Sequence, residues 1–179
     1  MAKPDPIAVG YFPKSITPTP DSWNGPENVL EIASVSCCIS RGPEGWIERW
    51  QHNELGFFPT EDIARGFIES STDNLALYAY RVFPLEFSDG SIRSWSVPVA
   101  EAPEPEDYRH LGYDIVSRSG DTLFECSPLS CNLAANEYPV NSHCLIEGRR
   151  DAREASITIS AGNYEPGPYY LFEVFRKML

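Results

Sequence analysis

The stretch from Leu75 to Phe87, which reads LALYAYRVFPLEF, decides the fold class of this chain. Apolar and aromatic residues occupy both alternating sets of positions, and aromatic and β-branched side chains favour strands. The pattern predicts a long strand that is covered on both faces. Pro84 cannot donate a hydrogen bond to a neighbouring strand, so it indicates a bulge or an edge position there.

Further strands are predicted on both sides of this stretch. An Asp-Gly turn at residues 88–91 joins it to the alternating run Ile92–Val97, which is typical of a β-hairpin. The run Tyr169–Phe175 is apolar on both faces, which places it at the centre of the sheet. The remaining predicted strands are Ile7–Phe12, Val29–Ile39 with a bulge, Leu111–Ser117 and Asp121–Cys126 as a second hairpin, and Val140–Ile146.

Helices are predicted at three places. Thr60 is a good N-cap, and the acidic residues after it suit the positive end of a helix that buries Ile63, Phe67 and Ile68. A second helix is expected at about Arg150–Ala161, and a short amphipathic turn at Trp46–Trp50.

These elements predict an α+β fold. We expect one domain over residues 1–179, with a mainly antiparallel, twisted β-sheet and two or three short helices packed on it. Residues 98–107 contain three prolines and four acids, which predicts an exposed connector. A domain boundary there would leave roughly 70 residues on its C-terminal side, which is marginal for independent folding. No internal repeat is visible in the sequence.

The charge balance restricts the partners. The chain has 26 acidic and 14 basic residues and a net charge of -12. Such a surface repels phosphate groups, so direct nucleic-acid binding is not expected. A basic protein partner is favoured electrostatically, although the acidic excess can also serve solubility alone.

Location and redox state follow from the composition. No apolar run approaches the roughly 20 residues of a membrane span, and the first residues lack an apolar signal core. A cytoplasmic protein without membrane contact is therefore expected. Its five cysteines are an odd number and include the adjacent pair Cys37 and Cys38, which predicts reduced thiols.

One cysteine-rich string could carry chemistry. Cys126 and Cys131 are five positions apart, and His143 and Cys144 follow. These are residue types that bind zinc, but structural zinc sites usually space paired cysteines two to four residues apart. We therefore predict no metal and no cofactor, and the simplest interpretation is that the cysteines pack as small apolar residues.

Two enzyme hypotheses use residues of these strands. In the first, Cys126 or Cys131 is a nucleophile of a thiol-dependent hydrolase or transferase, with His143 as its base and Asn132 or Asn141 orienting the imidazole. In the second, Arg81, the stretch Ser117-Arg118-Ser119 and Glu173 supply the residue types that an ADP-ribosyl transferase uses. A simpler interpretation is that Arg81 and Glu173 pair with each other.

The leading hypothesis is a non-enzymatic, acidic module that inhibits or regulates a protein partner, as an immunity or inhibitor protein does. The sequence contains no glycine-rich phosphate loop and no serine-hydrolase or zinc-protease motif. Acidic residues of the connector and aromatic anchors are the candidate contacts. They are Glu101, Glu104, Glu106, Asp107, Trp23, Trp46 and Trp50. The sequence leaves open the partner's identity, the oligomeric state and the strand order.

Overall fold

A four-stranded antiparallel sheet forms the centre of the molecule. In the computed structural model, the described residues are 5–36, 38, 42, 51–87, 89–93, 100, 102–103, 105–118, 124–162 and 164–178. The strands are β1 (Ile7–Ser15), β2 (Leu75–Val82), β3 (Leu85–Glu86), β4 (Ile92–Arg93), β5 (Tyr108–Ser117) and β6 (Tyr169–Lys177). The main sheet has the order β1-β2-β6-β5, and β3 and β4 form a separate two-stranded sheet.

Three short helices accompany the sheet, α1 (Glu61–Ser70), α2 (Pro128–Cys131) and α3 (Arg149–Ser160). The Thr60 hydroxyl accepts a hydrogen bond from the Ile63 amide at 3.4 Å, which confirms the predicted cap of α1. Together with the antiparallel sheet, these helices confirm the α+β fold in a single domain. Among the described helices, none has the length and apolar character needed to cross a membrane.

The sheet consists of two copies of one motif, in which a strand, a long connection, a helix and a second strand follow one another. The copies are β1-α1-β2 and β5-α3-β6, and their second strands, β2 and β6, are neighbours at the centre. Gly10 pairs with Tyr80, and Gly112 pairs with Val174. Tyr80 in turn pairs with Val174, so the registers relate the two halves by an approximate two-fold axis at this pair.

The same correspondence extends to the helices. Isolated bridges join Tyr11 to Phe58 and Tyr113 to Ile146, and α1 and α3 each begin three residues later. Two buried residues of each helix also lie six and nine positions after the bridge. They are Ala64 and Phe67 in α1, and Ala152 and Ala155 in α3. The structure thus reveals an internal duplication that the sequence does not show.

The two faces of the sheet are covered differently. Helix α3 packs on the face that presents Tyr113 and Leu171. The first residue of α1, Glu61, contacts Tyr108 and Lys177 on that same face, as their register places them. The opposite face is covered by irregular segments whose aromatic and aliphatic residues stack on it. Among them, Phe57 and Phe124 pack against Tyr80 and Phe172.

The predicted strand at Val29–Ile39 is wrong for the described residues 29–36. Val29, Ile32 and Val35 are buried, but their segment hydrogen-bonds to loops and side chains instead of to a strand. The Lys14 ammonium group donates to the carbonyl oxygens of Ser34, Val35 and Ser36 at 2.7, 2.9 and 2.8 Å. Burial explains the apolar pattern without a strand, because side-chain donors satisfy the backbone.

The predicted strand at Val140–Ile146 is also wrong. A tight turn stands there, in which the Cys144 amide donates to the Asn141 carbonyl at 3.1 Å and Cys144 has a φ of 59°. Only Ile146 pairs with the sheet, through its bridge to Tyr113.

Several other elements differ from their predicted bounds. Strand β1 continues through Pro13, which an edge strand tolerates. The long strand ends at Val82, and Pro84 separates it from the short hairpin of β3 and β4. Residues 121–123 of the predicted strand Asp121–Cys126 lie outside the described residues. Its described part, 124–126, is not a strand, although the Glu125 amide donates to the Ser117 carbonyl at 2.9 Å. The predicted turn at Trp46–Trp50 lies outside the described residues.

The predicted connector is only partly exposed. Ala100 and Pro103 are buried, and the Ala100 amide donates to the Ala8 carbonyl at 3.0 Å. A 3₁₀ turn at Pro105–Asp107 leads directly into β5, where no helical turn was expected. Strand β6 lies between β2 and β5, which confirms its predicted central position.

Candidate functional site

Three thiols meet beside the C-terminal end of β5. The Sγ atoms of Cys38, Cys126 and Cys131 all lie within 4.8 Å of one another. All three are free thiols; Cys38 is exposed, and the other two are partly buried. We call these residues the thiol cluster.

The C-terminal part of the thiol cluster is built by β5 and α2. The Ser117 amide at the end of β5 donates to the Cys126 carbonyl at 2.8 Å. Ser127 precedes Pro128, the first residue of α2, and proline is favoured at that position. One helical turn then carries Cys131 back beside Cys126. The two cysteines are five positions apart, which is more than the usual spacing in structural zinc sites. A helical turn nevertheless brings them together.

A buried carboxylate holds both segments that carry the thiols. Asp114 in β5 is fully buried, and its Oδ1 accepts a hydrogen bond from the Ser127 hydroxyl at 2.5 Å. Its Oδ2 accepts from the Ser34 hydroxyl at 2.7 Å and from the Val35 amide at 2.8 Å. Burial raises the pKa of Asp114, although these hydrogen bonds oppose the rise. This side chain therefore links the chain before Cys38 to the chain after Cys126.

Ser36 completes this connection. Its hydroxyl donates to the Glu125 carbonyl at 2.5 Å and accepts from the Cys38 amide at 3.1 Å. The Cys38 Sγ donates to the same Glu125 carbonyl at 2.9 Å. Together with the three bonds from Lys14, these contacts fix Cys38 next to a residue 87 positions away.

Burial opposes thiolate formation at Cys126, Cys131 and Cys144. Burial raises the pKa of Cys126, and the neighbouring Cys131 raises it further. Burial also raises the pKa of Cys131, and it raises that of Cys144 to about 12. Because the thiolate is the reactive form, thiols that stay protonated at neutral pH are poor nucleophiles.

His143, the predicted base, is held by a different set of partners. Its Nδ1 lies 2.5 Å from the Glu31 carboxylate, which also accepts from Arg176 at 2.8 Å. The Asn141 side chain accepts from the His143 backbone amide at 2.9 Å and does not orient the imidazole. Asn132 alone accompanies a thiol, with its Oδ1 3.8 Å from the Cys126 Sγ. The structure thus unites the two cysteines and Asn132, and pairs His143 with a carboxylate.

Of the residues in the ADP-ribosyl transferase hypothesis, Arg81 and Glu173 lie together, and Ser117 does not join them. Arg81 and Glu173 are cross-strand partners with a nitrogen-to-oxygen distance of 3.7 Å. His110 and Tyr113 also approach Glu173, at 3.5 and 3.4 Å, so this carboxylate lies in a polar cluster. Ser117 is fully buried and exchanges hydrogen bonds with the backbone of Cys126 instead.

A second candidate region lies where the connector meets α1. The Lys177 ammonium group contacts Glu61 at 2.6 Å and Asp107 at 3.3 Å. Burial alone would raise the pKa of Glu61, but hydrogen bonds from Lys177 and Tyr108 outweigh it and lower the pKa. Asp62 and Glu106 are exposed beside these residues. We call Glu61, Asp62, Glu106 and Asp107 the acidic surface.

The other predicted contacts are only partly described. Glu101, Glu104, Trp46 and Trp50 lie outside the described residues. Trp23 is partly buried against the core beneath α3, and its indole nitrogen donates to the Pro26 carbonyl at 3.2 Å.

Comparison with models of protein families, with curated proteins and with solved structures finds no match to this chain. The fold and the site together define an α+β domain with a duplicated strand-helix-strand motif, a thiol cluster and an acidic surface.

Sequence reasoning missed three residues of the thiol cluster and its support, which are Cys38, Asp114 and Lys14. Asp114 offers a signal, because it is a carboxylate within the apolar run Leu111–Val116. A charge in such a strand is expected to have a specific partner. Nothing in the local sequence pairs Cys38 with residues 126–131.

Proposed function

We propose that this protein is a non-enzymatic module that binds a basic protein partner through the acidic surface and thereby inhibits or regulates it. The observation that carries this proposal is the shared contact of Lys177 with Glu61 and Asp107. It joins α1 to the end of the connector, so Glu61 and Asp107 from two distant segments lie beside the same ammonium group.

The charge of this surface favours a basic partner. Glu61, Asp62, Glu106 and Asp107 face only two nearby cations, Lys177 and Arg65, among the described ion pairs. The net charge of -12 adds a long-range attraction of the same sign. Such fields act mainly on the rate and orientation of association.

The geometry also weakens the enzyme alternatives. The raised pKa values of Cys126 and Cys131 oppose nucleophilic attack at neutral pH. The predicted base, His143, contacts Glu31. A binding role requires neither an activated thiol nor a free imidazole.

The charge-reversal variant E106K/D107K tests the proposal. The tagged wild-type protein is expected to capture a basic protein from extract of its own cells at about 50 mM salt and to release it at about 300 mM. With the purified partner, E106K/D107K is expected to lower the association rate constant by about tenfold. If the partner is an enzyme, its activity should fall when the wild-type protein binds.

The matched control is E147K/E154K, which reverses two exposed acids on and next to α3 and changes the net charge equally. It should retain most of the association rate. Equal rates for wild type and E106K/D107K at low salt would contradict the proposal.

A further inference from the structure

The thiol cluster has a geometry that a partner-binding role does not explain. Three free thiols from two segments of the chain lie within 4.8 Å of one another. If the cysteines served only as small apolar residues, burial would be expected, but Cys38 is exposed and Cys126 and Cys131 are partly exposed. Three thiols that are grouped together and reachable from solvent are what a thiol-binding metal ion requires.

We propose that Cys38, Cys126 and Cys131 bind one Zn²⁺ ion through three thiolates, with the fourth coordination position open to solvent. Zinc favours tetrahedral coordination by thiolates at about 2.3 Å, which places the sulfurs roughly 3.8 Å apart. The sulfurs therefore need to approach by no more than about 1 Å. On binding, the three thiol protons leave to solvent and the zinc takes their places.

The site is organised before the ion arrives. Asp114 holds Ser34 and Val35 on one side and Ser127 on the other. The Cys38 amide donates to the Ser36 hydroxyl, which holds the backbone of Cys38 in place. The hydrogen bond from the Cys38 thiol to the Glu125 carbonyl is given up when the thiol proton leaves. Metal ligands held by further hydrogen bonds in this way are typical of tuned metal sites.

The charge of the protein and the donor set favour a soft cation. Three thiolates and one dication leave a single negative charge at the site. The net charge of -12 also raises the local concentration of cations. Hard cations such as Mg²⁺ and Ca²⁺ prefer oxygen ligands, so the thiolates select against them.

The spacing of Cys126 and Cys131 argues against zinc only when these two cysteines are considered as a pair. The third thiol comes from a segment 88 positions before Cys126 and enters only in the folded state. Cys126 and Cys131 lie close enough in space that they could instead form a disulfide bond. That reaction requires a two-electron oxidant such as a disulfide reagent.

Metal titration of the reduced, full-length protein tests the site. Zn²⁺ is titrated against a chromophoric chelator, and Co²⁺ serves as the spectroscopic probe. We expect one ion per chain, thiolate-to-cobalt charge-transfer absorption, and the intense visible bands of tetrahedral cobalt. At a hundredfold excess of free Zn²⁺ over Kd, the Tm is expected to rise by roughly 5–10 °C.

Single substitutions identify the ligands. C38S, C126S and C131S are each expected to weaken Zn²⁺ binding more than about a hundredfold, since even outer-shell partners are worth ten- to a hundredfold. C38S is the decisive variant, because the exposed Cys38 can be replaced without opening a cavity. The matched control is C144A, which removes a buried thiol outside the cluster and should retain both affinity and cobalt absorption.

Circular dichroism without metal shows whether each variant is folded. Absence of charge-transfer absorption from folded, reduced wild type would overturn the proposal. So would unchanged zinc affinity in folded C38S. A Cys126–Cys131 disulfide that persists under excess reductant and prevents metal binding would assign the pair to redox chemistry instead.

Discussion

At the scale of single residues, two buried charges organise the irregular face of the sheet. Lys14 is 1% exposed and donates to three successive carbonyl groups. Asp114 is 0% exposed and accepts hydrogen bonds from the Ser34 and Ser127 hydroxyl groups. Burying a charge is costly unless hydrogen bonds compensate for lost hydration. The hydrogen bonds of Lys14 and Asp114 provide that compensation, and they also fix the backbone conformation of residues 34–36.

The substitution D114N tests the role of Asp114. Its four donors are Ser34, Val35, Ile115 and Ser127, and the amide group of asparagine would oppose at least one of them. We expect the free energy of unfolding to fall by about 3 kcal/mol, because unsatisfied buried partners of a charged group are costly. Denaturant unfolding monitored by circular dichroism measures the change.

The control for this prediction is S34A, which removes a single donor and should cost about 1 kcal/mol. If D114N were as stable as the wild type, Asp114 would not anchor the two segments.

At the scale of elements, the two edge strands have the same irregularity at matching positions. The register shifts between Ala8 and Gly10 in β1, and between His110 and Gly112 in β5. Both glycines have φ values that side chains rarely adopt, 135° and 138°. Each allows the backbone of a crossing segment to approach, at Phe58 and at Ile146. The bulges thus position the start of each helix.

The substitution G112A tests this arrangement. A Cβ atom there would lie 2.9 Å from the Ile146 carbonyl oxygen and 2.9 Å from the Leu145 Cβ. Backbone strain and overpacking together should lower the free energy of unfolding by about 3 kcal/mol, as measured by denaturant titration.

The control is G66A in α1, where an added Cβ atom meets nothing within 4 Å. Alanine favours the helix there, so we expect about 1 kcal/mol of stabilisation. A neutral G112A would show that the close approach of β5 to Ile146 is not required.

At the scale of the whole molecule, the two halves depend on each other through the central strands. Strand β2 pairs with β6 along Tyr78–Val82, so each half alone would expose this edge of its sheet. Aromatic packing also joins the two halves, because Phe57 of the first half contacts Phe172 of the second half. Neither half closes its own core.

Cleavage of the connector tests this dependence. With a specific protease site inserted after the exposed Ala102, the two pieces should stay associated in native size-exclusion chromatography and separate in denaturant. Each purified piece should lack a cooperative unfolding transition, because its central strand has lost its partner. Two pieces that each remain folded would contradict the proposed single core.

The sequence by itself determined those regular elements in which local propensity and burial agree. The period of the apolar residues and the Thr60 cap predicted α1, α3, β2 and the central β6, because local propensity and burial agree there. The apolar segments 29–36 and 140–146 were misassigned as strands, since burial alone does not distinguish a strand from a loop that side chains satisfy.

Only the tertiary structure decided the strand order, the duplication and the thiol cluster. Each depends on contacts between residues far apart in the chain, such as Tyr80 with Val174 and Cys38 with Cys126. A pattern of neighbouring residues contains no information on which distant segments meet. The buried hydrogen bonds of Lys14 and Asp114, formed only in the folded state, hold in place the segments that carry Cys38 and Cys126.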